Sequence, residues 1–170
     1  ERLLDLVLQE AEKLPELPVV IDADGLNLLA KKRLYSTLGR QYVLTPHLRE
    51  MSRLSGKSVQ EIADDMTSAV MGQQAGATIV LKDARTLVSD GDWLYINLSG
   101  NSALSTGGSG DVLSGMIGGL LAQGCTQRTA ATLAVYMHGL TAAQYCESAP
   151  PHCMLARDIL EMIPKIGGNS

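Results

Sequence analysis

Hydrophobic and polar residues form alternating blocks along this chain, and the blocks predict helices and strands in turn. Residues 1–14 place leucine, valine and alanine among charged residues with one wide apolar face, which is typical of an amphipathic helix. Short apolar runs at 17–21, 41–45 and 77–82 have the pattern of buried parallel strands. Further helices are predicted to begin at 26–30 and to cover 59–76, 112–123, 127–146 and 154–163. Strands that alternate with helices favour an α/β fold of three layers around a mainly parallel sheet.

A hairpin is predicted where two more apolar runs flank a turn. Leu87–Val88 and Trp93–Leu98 lie on either side of Ser89–Asp92, whose Asp-Gly-Asp sequence suits a tight turn. We recognise neither internal repeats nor a second domain, so residues 1–170 are interpreted as one domain or part of one. Because the chain starts at Glu1, inside the first amphipathic helix, we expect it to be a portion of a longer domain.

The segment Gly100–Gly115 predicts a loop that opens directly into a buried helix. It carries almost no bulky side chains until Val112, where a long apolar run begins. The glycines of Gly107–Gly110 let a ligand approach the main chain closely, and a helix N-terminus attracts phosphate through its unpaired N–H groups and its dipole. Asp111 falls in that first turn. The segment therefore predicts a site where a phosphate and a base meet, with a plain turn before a favourable N-terminal charge as the alternative.

Polar residues follow the predicted parallel strands at the point where each strand ends. Asp22 and Asp24 come after the first strand. His47 follows the second, and Lys82 ends the third. Open α/β sheets bind ligands at the carboxyl ends of their strands, so we expect these side chains to gather there, with Asn27 as a further candidate. We expect one of the two aspartates only to cap the following helix, and Lys82 to contact a nucleotide phosphate.

Several other residues are predicted to shape the backbone rather than to bind a ligand. Pro46 suits the first position of a helix that would have Glu50 in its first turn. Thr126 is predicted to cap the helix that follows it, and Gly76 to end the helix that precedes it. His138 lies within an apolar helical pattern and is expected to be structural.

Composition narrows the class of protein. Hydrophobic residues make up 45% of the chain and charged residues 19%, which indicates a soluble globular protein. A net charge of −4 without a long basic run argues against a nucleic-acid surface. We find neither a signal peptide nor an apolar run long enough to span a bilayer, so no membrane is expected. The cysteines, Cys125, Cys146 and Cys153, have no paired spacing, which predicts neither disulfides nor a zinc site and fits a reducing cytoplasm.

Short motifs follow one another along nearly the whole chain. In order they are Val20-Ile21-Asp22-Ala23-Asp24-Gly25-Leu26-Asn27, Leu44-Thr45-Pro46-His47, Val80-Leu81-Lys82, Thr106-Gly107-Gly108-Ser109-Gly110-Asp111, Leu120-Leu121-Ala122-Gln123-Gly124 and His138-Gly139. The set resembles the ADP/ATP-dependent NAD(P)H-hydrate dehydratases, a family of the ribokinase-like superfamily. The resemblance implies a ribokinase-like fold and the repair of hydrated nicotinamide cofactors, NADHX and NADPHX. It also implies that this chain is the C-terminal portion of the domain, without the N-terminal part of the family's sequence.

In that family, ADP or ATP phosphorylates a hydroxyl on the hydrated nicotinamide ring, and the phosphate then leaves to restore NADH or NADPH. The resemblance implies that Asp111 contacts the substrate and is the base for that hydroxyl. It implies that the hydrated cofactor contacts His47, Asp24 and Asn27. The implied nucleotide-binding residues are Lys82, Asp83, Ala84, Arg85, Thr86 and Gly110, and the implied anion hole consists of Gly107, Gly108, Ser109 and Gly110. Mg²⁺ would bridge the phosphates with no protein ligand assigned, and a cytoplasmic homotetramer is also implied.

The nucleotide-binding segment departs from the family's pattern, which has glycines at positions 83 and 85. Asp83 adds a negative charge near a phosphate, so we expect it to weaken nucleotide binding unless Arg85 compensates. Leu48-Arg49 likewise replaces a Pro-Gly pair after His47. Two other functions stay open at this point: another ribokinase-like kinase for a small alcohol, and a non-catalytic nucleotide-binding remnant. Whether the chain is active by itself also stays open.

Overall fold

The computed structural model describes residues 2–71 and 76–166, with a five-stranded sheet at its centre. The strands stand in sequence order: β1 (Val19–Ile21), β2 (Tyr42–Leu44), β3 (Thr78–Leu81), β4 (Leu87–Ser89) and β5 (Leu94–Ile96). The helices are α1 (Arg2–Lys13), α2 (Asp24–Lys32), α3 (Leu48–Ser55), α4 (Val59–Asp64), α5 (Met66–Met71), α6 (Ser109–Ala122), α7 (Gln127–Cys146) and α8 (Ala156–Met162). Short 3₁₀ turns cover Tyr35–Thr37, Ser102–Leu104, Pro151–Cys153 and Ile163–Lys165. Within the described ranges, no helix is long and apolar enough to cross a membrane.

The sheet is mixed, because three parallel strands are followed by an antiparallel hairpin. β1, β2 and β3 run parallel, while β4 pairs antiparallel with both β3 and β5. Ile21 pairs with Leu44 and Leu44 with Ile79, so the parallel strands end at one edge of the sheet. A parallel bridge between His47 and Lys82 extends the pairing beyond the ends of β2 and β3. The predicted parallel strands and the predicted hairpin are thus confirmed.

Alternate residues of the central strands pack into two separate hydrophobic clusters. Leu44 and Leu81 are fully buried with α1 to α5 on one face of the sheet. Val43 and Val80 are fully buried with α6 and α7 on the other face. Burial on both faces explains why these strands are almost continuously apolar in sequence. The predicted three-layer architecture is confirmed.

The single helix predicted over 59–76 is wrong, because two helices, α4 and α5, occupy that region. Asp65 lies between them with φ −143° and ψ 75°, outside the helical range. Its carboxylate accepts hydrogen bonds from the Ser68 amide at 2.9 Å and the Ser68 hydroxyl at 2.5 Å. Asp65 therefore starts a new helix instead of continuing the old one. Gly76 was predicted to end this helix, and its φ is 73°. Residues 72–75, which would connect α5 to Gly76, lie outside the described residues.

Two predictions of helix starts have opposite outcomes. Thr126 caps α7 as predicted, since its hydroxyl accepts a hydrogen bond from the Thr129 amide at 3.2 Å. The prediction that Pro46 begins a helix is wrong, because α3 begins at Leu48. The carbonyl oxygen of Pro46 instead accepts a hydrogen bond from the Lys82 amide at 2.8 Å, which holds Pro46 in an extended continuation of β2.

Candidate functional site

One carboxylate connects the ends of the parallel strands to α6. Oδ1 of Asp22, just after β1, accepts hydrogen bonds from Nζ of Lys82 at 3.0 Å and from the amide of Ala23 at 2.8 Å. Oδ2 accepts a hydrogen bond from Oγ of Ser114 in α6 at 2.6 Å. That Ser114 hydroxyl lies 3.3 Å from Oγ1 of Thr45, just after β2. The first turns of α6 are therefore fixed at the carboxyl edge of the sheet, where a ligand site was predicted.

The Asp22 carboxylate is held in its ionised form by these contacts. Burial acts to raise its pKa, but the hydrogen bond from Ser114 and the positive charge of Lys82 outweigh burial, so the pKa lies below its ordinary value. The side chains of Asp22 and Lys82 are only 15% and 21% exposed. This pair is therefore a half-buried salt bridge, and much of its attraction escapes screening by solvent.

The expectation that Asp22 or Asp24 caps α2 is wrong. The residue before α2 is Ala23, and no described side chain makes a capping hydrogen bond there. Ala23 has a positive φ of 48°, which few residues other than glycine adopt. This backbone turn directs Asp22 towards Lys82 and leaves Asp24 exposed in the first turn of α2.

His47 and Asn27 lie beside this edge, and both are tied to α3. His47 is the residue before α3, and its Nδ1 accepts hydrogen bonds from the amides of Arg49 at 3.1 Å and Glu50 at 3.2 Å. Because Nδ1 accepts, the ring proton is assigned to Nε2, which lies 3.6 Å from the Glu50 carboxylate. The His47 side chain is 48% exposed. Oδ1 of Asn27 accepts a hydrogen bond from Arg53 at 2.8 Å. His47 thus has a structural role as a cap while part of its ring stays accessible.

Within the segment Lys82–Thr86, Lys82 is the residue that reaches the Gly-rich loop. A Cβ placed on Gly110 would lie 3.4 Å from Nζ of Lys82, so the ammonium stands beside the first turn of α6. The next three residues, Asp83, Ala84 and Arg85, are exposed. The carbonyl oxygen of Thr86 accepts a hydrogen bond from the amide of Asn97, which joins the end of the segment to the strand region.

The Gly-rich loop ends at a helix N-terminus that carries no side-chain cap. Gly108 precedes α6 with a φ of 84°, and within the described part of the chain no side chain makes a capping hydrogen bond to the first turn. The Ser109 amide donates to the carbonyl oxygen of Thr106 at 3.2 Å, so it belongs to the turn of the loop itself. Gly107 is exposed and Gly110 lies within the first turn of α6. The uncapped N–H groups of that turn are the donors that an anion would meet.

The carboxylate of Asp111 differs from that of Asp22 in its exposure and contacts. It is exposed in the first turn of α6. Among the residues that the structure describes, its carboxylate forms neither a hydrogen bond nor an ion pair. Asp22, by contrast, already has three hydrogen-bond donors. Of these two carboxylates, Asp111 is therefore the one whose oxygens are free to accept a proton from a bound molecule.

A sequence profile of the family described as NAD(P)H-hydrate dehydratase matches residues 2–165. The chain belongs to the NAD(P)H-hydrate dehydratase family. A relative named ADP-dependent (S)-NAD(P)H-hydrate dehydratase, from Neisseria meningitidis serogroup B, is 46% identical over 138 residues, or 78% of this chain and 47% of the relative. The chain thus spans about half the length of such relatives.

Solved structures give the same assignment. The ADP/ATP-dependent NAD(P)H-hydrate dehydratase from Bacillus subtilis, co-crystallised with ATP and Mg²⁺, has a TM-score of 0.75 and 30% identity, covering 88% of this chain and 53% of that one. A ribokinase-like superfamily protein from Enterococcus faecalis V583 has a TM-score of 0.76 and 29% identity, covering 88% and 51%. The predicted ribokinase-like fold and the predicted family are confirmed.

This member of the dehydratase family holds its Gly-rich loop through residues that the sequence did not single out for that task. Ser114 and Thr45 complete the Asp22 network. His138, predicted to be structural, is buried, and its Nε2 lies 3.1 Å from Oγ of Ser109 and 3.1 Å from the Ser109 carbonyl oxygen. Ser114 and His138 stood out in sequence as isolated polar residues in apolar helical runs, and Thr45 and His138 belong to the family's motifs, but sequence does not say what such a residue contacts.

Acid is expected to weaken this fold through His138. Burial, with a smaller effect of the Lys82 charge, lowers its pKa from 6.5 to about 4, against the opposing effect of the hydrogen bond with Ser109. Between these two values the unfolded chain binds a proton that the folded chain does not. The free energy of unfolding should therefore fall as pH drops through this window, by about 3 kcal/mol in total. Urea unfolding at several pH values in this window measures how steeply the free energy of unfolding changes with pH. A His138→Gln variant with the same pH dependence as the unmodified protein would show that His138 is not the cause.

Proposed function

We propose that this protein takes part in the ADP- or ATP-dependent dehydration of NADHX and NADPHX, which restores NADH and NADPH. The observation that carries this proposal is the carboxylate of Asp111, which is exposed in the first turn of α6 and has no partner among the residues that the structure describes. The Lys82 ammonium beside Gly110 supplies positive charge at the same turn. A proton acceptor next to an anion-binding turn is what transfer of a phosphoryl group to a hydroxyl requires.

Asp111 would act as the base in this reaction. The substrate hydroxyl loses its proton to the carboxylate while its oxygen attacks the terminal phosphorus of the nucleotide. The bond from that phosphorus to the bridging oxygen breaks, and AMP or ADP leaves. The carbon–oxygen bond to the phosphate then breaks, and inorganic phosphate leaves with the electron pair. The adjacent ring carbon loses a proton to solvent, which restores the ring double bond. Phosphoryl transfer depends mainly on positioning and on stabilising charge, which are the contributions this edge of the sheet can make.

The remaining residues would bind the reactants. Main-chain groups of Gly107, Gly108, Ser109 and Gly110 would form the anion hole. Lys82, Asp83, Ala84, Arg85 and Thr86 would hold the nucleotide together with Gly110. The hydrated cofactor would contact His47, Asp24 and Asn27. The ties of His47 and Asn27 to α3 support this role by fixing both side chains near the edge.

Mg²⁺ is the metal that we propose for the nucleotide phosphates. The described residues include no group of three or more His, Cys, Asp or Glu side chains that could hold a metal ion by themselves. Mg²⁺ commonly keeps several waters and binds through substrate phosphates, so the nucleotide itself would supply ligands to the ion. When bound, the ion would neutralise phosphate charge. The implied cytoplasmic location and homotetramer stay predictions from the resemblance.

The test is a turnover assay with the protein as its gene encodes it. Purified protein is incubated with NADHX, Mg²⁺ and either ADP or ATP, and the absorbance of the reduced nicotinamide is followed, with nucleotide omitted as the control. We expect NADH to form only when nucleotide is present. A folded protein that binds nucleotide without forming NADH would contradict the proposal and favour a non-catalytic role, whereas phosphorylation of another small alcohol would favour a ribokinase-like kinase.

A further inference from the structure

Helix α7 contacts the Gly-rich loop at both of its ends. The loop leaves β5 through Ser99 and enters α6 at Ser109. Two adjacent residues of α7, His138 and Gly139, lie against these two ends. One turn of a single helix is therefore in a position to set where the loop begins and where it finishes.

At the end of the loop, the His138 imidazole meets two oxygens of Ser109. Its Nε2 is 3.1 Å from Oγ and 3.1 Å from the carbonyl oxygen. A carbonyl oxygen can only accept a hydrogen bond, so we assign the ring proton to Nε2, which donates towards Ser109. The two residues are 7% and 5% exposed, so water competes little for this contact. The imidazole thus binds the backbone of the first residue of α6 and turns its hydroxyl away from solvent.

At the start of the loop, the contact is made without a side chain on α7. A Cβ on Gly139 would fall on Oγ of Ser99 and within 2.7 Å of its carbonyl carbon. A Cβ on Gly100 would in turn lie 3.2 Å from Cα of Gly139. The Ser99 hydroxyl also donates a hydrogen bond to the Tyr136 carbonyl oxygen at 3.0 Å. The backbones approach this closely only because residue 139 is glycine.

The charge state of His138 is compatible with holding an anion-binding turn. Burial keeps its pKa low, so the imidazole is neutral at physiological pH. The positive charge of this turn therefore comes from Lys82 and from the helix N-terminus. A neutral donor can fix the geometry of the turn without adding a second positive charge beside Lys82.

We propose that His138 is a positioning residue, which fixes Ser109 and thereby presets the main-chain donors at the start of α6 for the phosphoryl group. This inference rests on the function proposed above. It assigns His138 no contact with substrate or nucleotide. Its effect on the rate comes from geometry, because preset donors do not have to reorganise as charge develops on the phosphoryl oxygens.

The first test compares three substitutions of His138 in the turnover assay. In His138→Gln, the amide nitrogen can take the place of Nε2, so kcat should stay within about fivefold of the unmodified protein. His138→Leu has no donor, and the amide of His138→Asn is too short to reach Ser109, so both should lower kcat by about 10- to 100-fold. The KM for nucleotide should change much less, since the loop is displaced rather than removed. An equal loss of kcat in His138→Gln and His138→Leu would overturn the proposal.

The second test does not depend on turnover. Hydrogen exchange is measured for peptides covering residues 99–112, with Leu121→Ala, a core truncation at the far end of α6, as the matched control. His138→Asn should speed exchange in this segment more than the control does, while β2 and β3 exchange alike in both variants. Equal exchange of residues 99–112 in the two variants would overturn the proposal. If the unmodified protein fails to convert NADHX, the proposed function fails, and hydrogen exchange still decides whether His138 positions the loop.

Discussion

Asp111→Asn is expected to lower the rate of nucleotide-dependent NADHX dehydration by about 10²- to 10⁴-fold, the usual contribution of a general base. The amide has nearly the same shape as the carboxylate but cannot take the proton of the substrate hydroxyl. Asp111 is exposed and has no partner among the described residues, so its replacement should leave the fold intact. Steady-state turnover measures the rate of dehydration, and calorimetric titration measures the affinity for ADP. We expect the rate to fall and the affinity to be retained.

Asp64→Asn is the matched control for this experiment. It makes the same chemical change at an exposed carboxylate of α4 whose contact is a hydrogen bond from Gln60. Both variants change the net charge equally, so a long-range effect of charge would appear in both. Full activity of Asp111→Asn, or an equal loss in the control, would show that Asp111 is not the base.

Asp22→Ala is expected to reduce the free energy of unfolding by about 2 kcal/mol, because removing one partner of a half-buried ion pair leaves an uncompensated charge. The substitution leaves the Lys82 ammonium and the Ser114 hydroxyl without their acceptor. The ends of β1 and β3 would then lose their tie to α6, so nucleotide affinity should fall as well. Urea unfolding near neutral pH gives the stability. The difference from the unmodified protein should shrink in strong acid, because protonation of Asp22, whose pKa lies below 3.8, removes the same charge from the folded protein.

A double-mutant cycle with Lys82→Met separates the ion pair from the other contacts of Asp22. Removing both partners leaves no isolated charge. The double variant should therefore lose less free energy of unfolding than the two single variants lose in sum. We expect a coupling of about 1–2 kcal/mol. Additive losses would mean that Asp22 stabilises the fold through Ser114 and the Ala23 amide and not through Lys82.

The pattern of apolar residues was sufficient to predict the order of elements. The parallel strands, the hairpin and α7 with its Thr126 cap all follow from local rules of periodicity and capping, which act within a few residues. The pattern gave a wrong prediction where a side chain forms hydrogen bonds that interrupt a helix. Apolar residues on both sides of Asp65 continue a helical period, yet the hydrogen bonds of Asp65 with Ser68 divide the helix in two.

Some features of the site follow from the order of the strands, whereas others depend on contacts between residues that are distant in the chain. The ends of parallel strands must meet at one edge, so the gathering of Asp22, His47 and Lys82 could be predicted from the order of the strands. Their partners could not, because each belongs to a distant part of the chain. Asp22 accepts a hydrogen bond from Ser114 of α6, 92 residues away. The expectation that Asp22 or Asp24 caps α2 failed, because the turn at Ala23 and the hydrogen bond from Ser114 direct Asp22 away from the start of that helix.

By itself, the sequence determined the α/β class, the family, and the presence of Asp111 in the first turn of a helix that follows a Gly-rich loop. These depend on local backbone preferences and on residues that are neighbours in the chain. Only the tertiary structure decided which carboxylate is engaged, since Asp22 is bound by Lys82 and Ser114 while Asp111 is left without a described partner. It also decided that His138 holds Ser109, 29 residues earlier in the chain. Such pairings depend on how α6 and α7 pack on the sheet, which no pattern within either helix specifies.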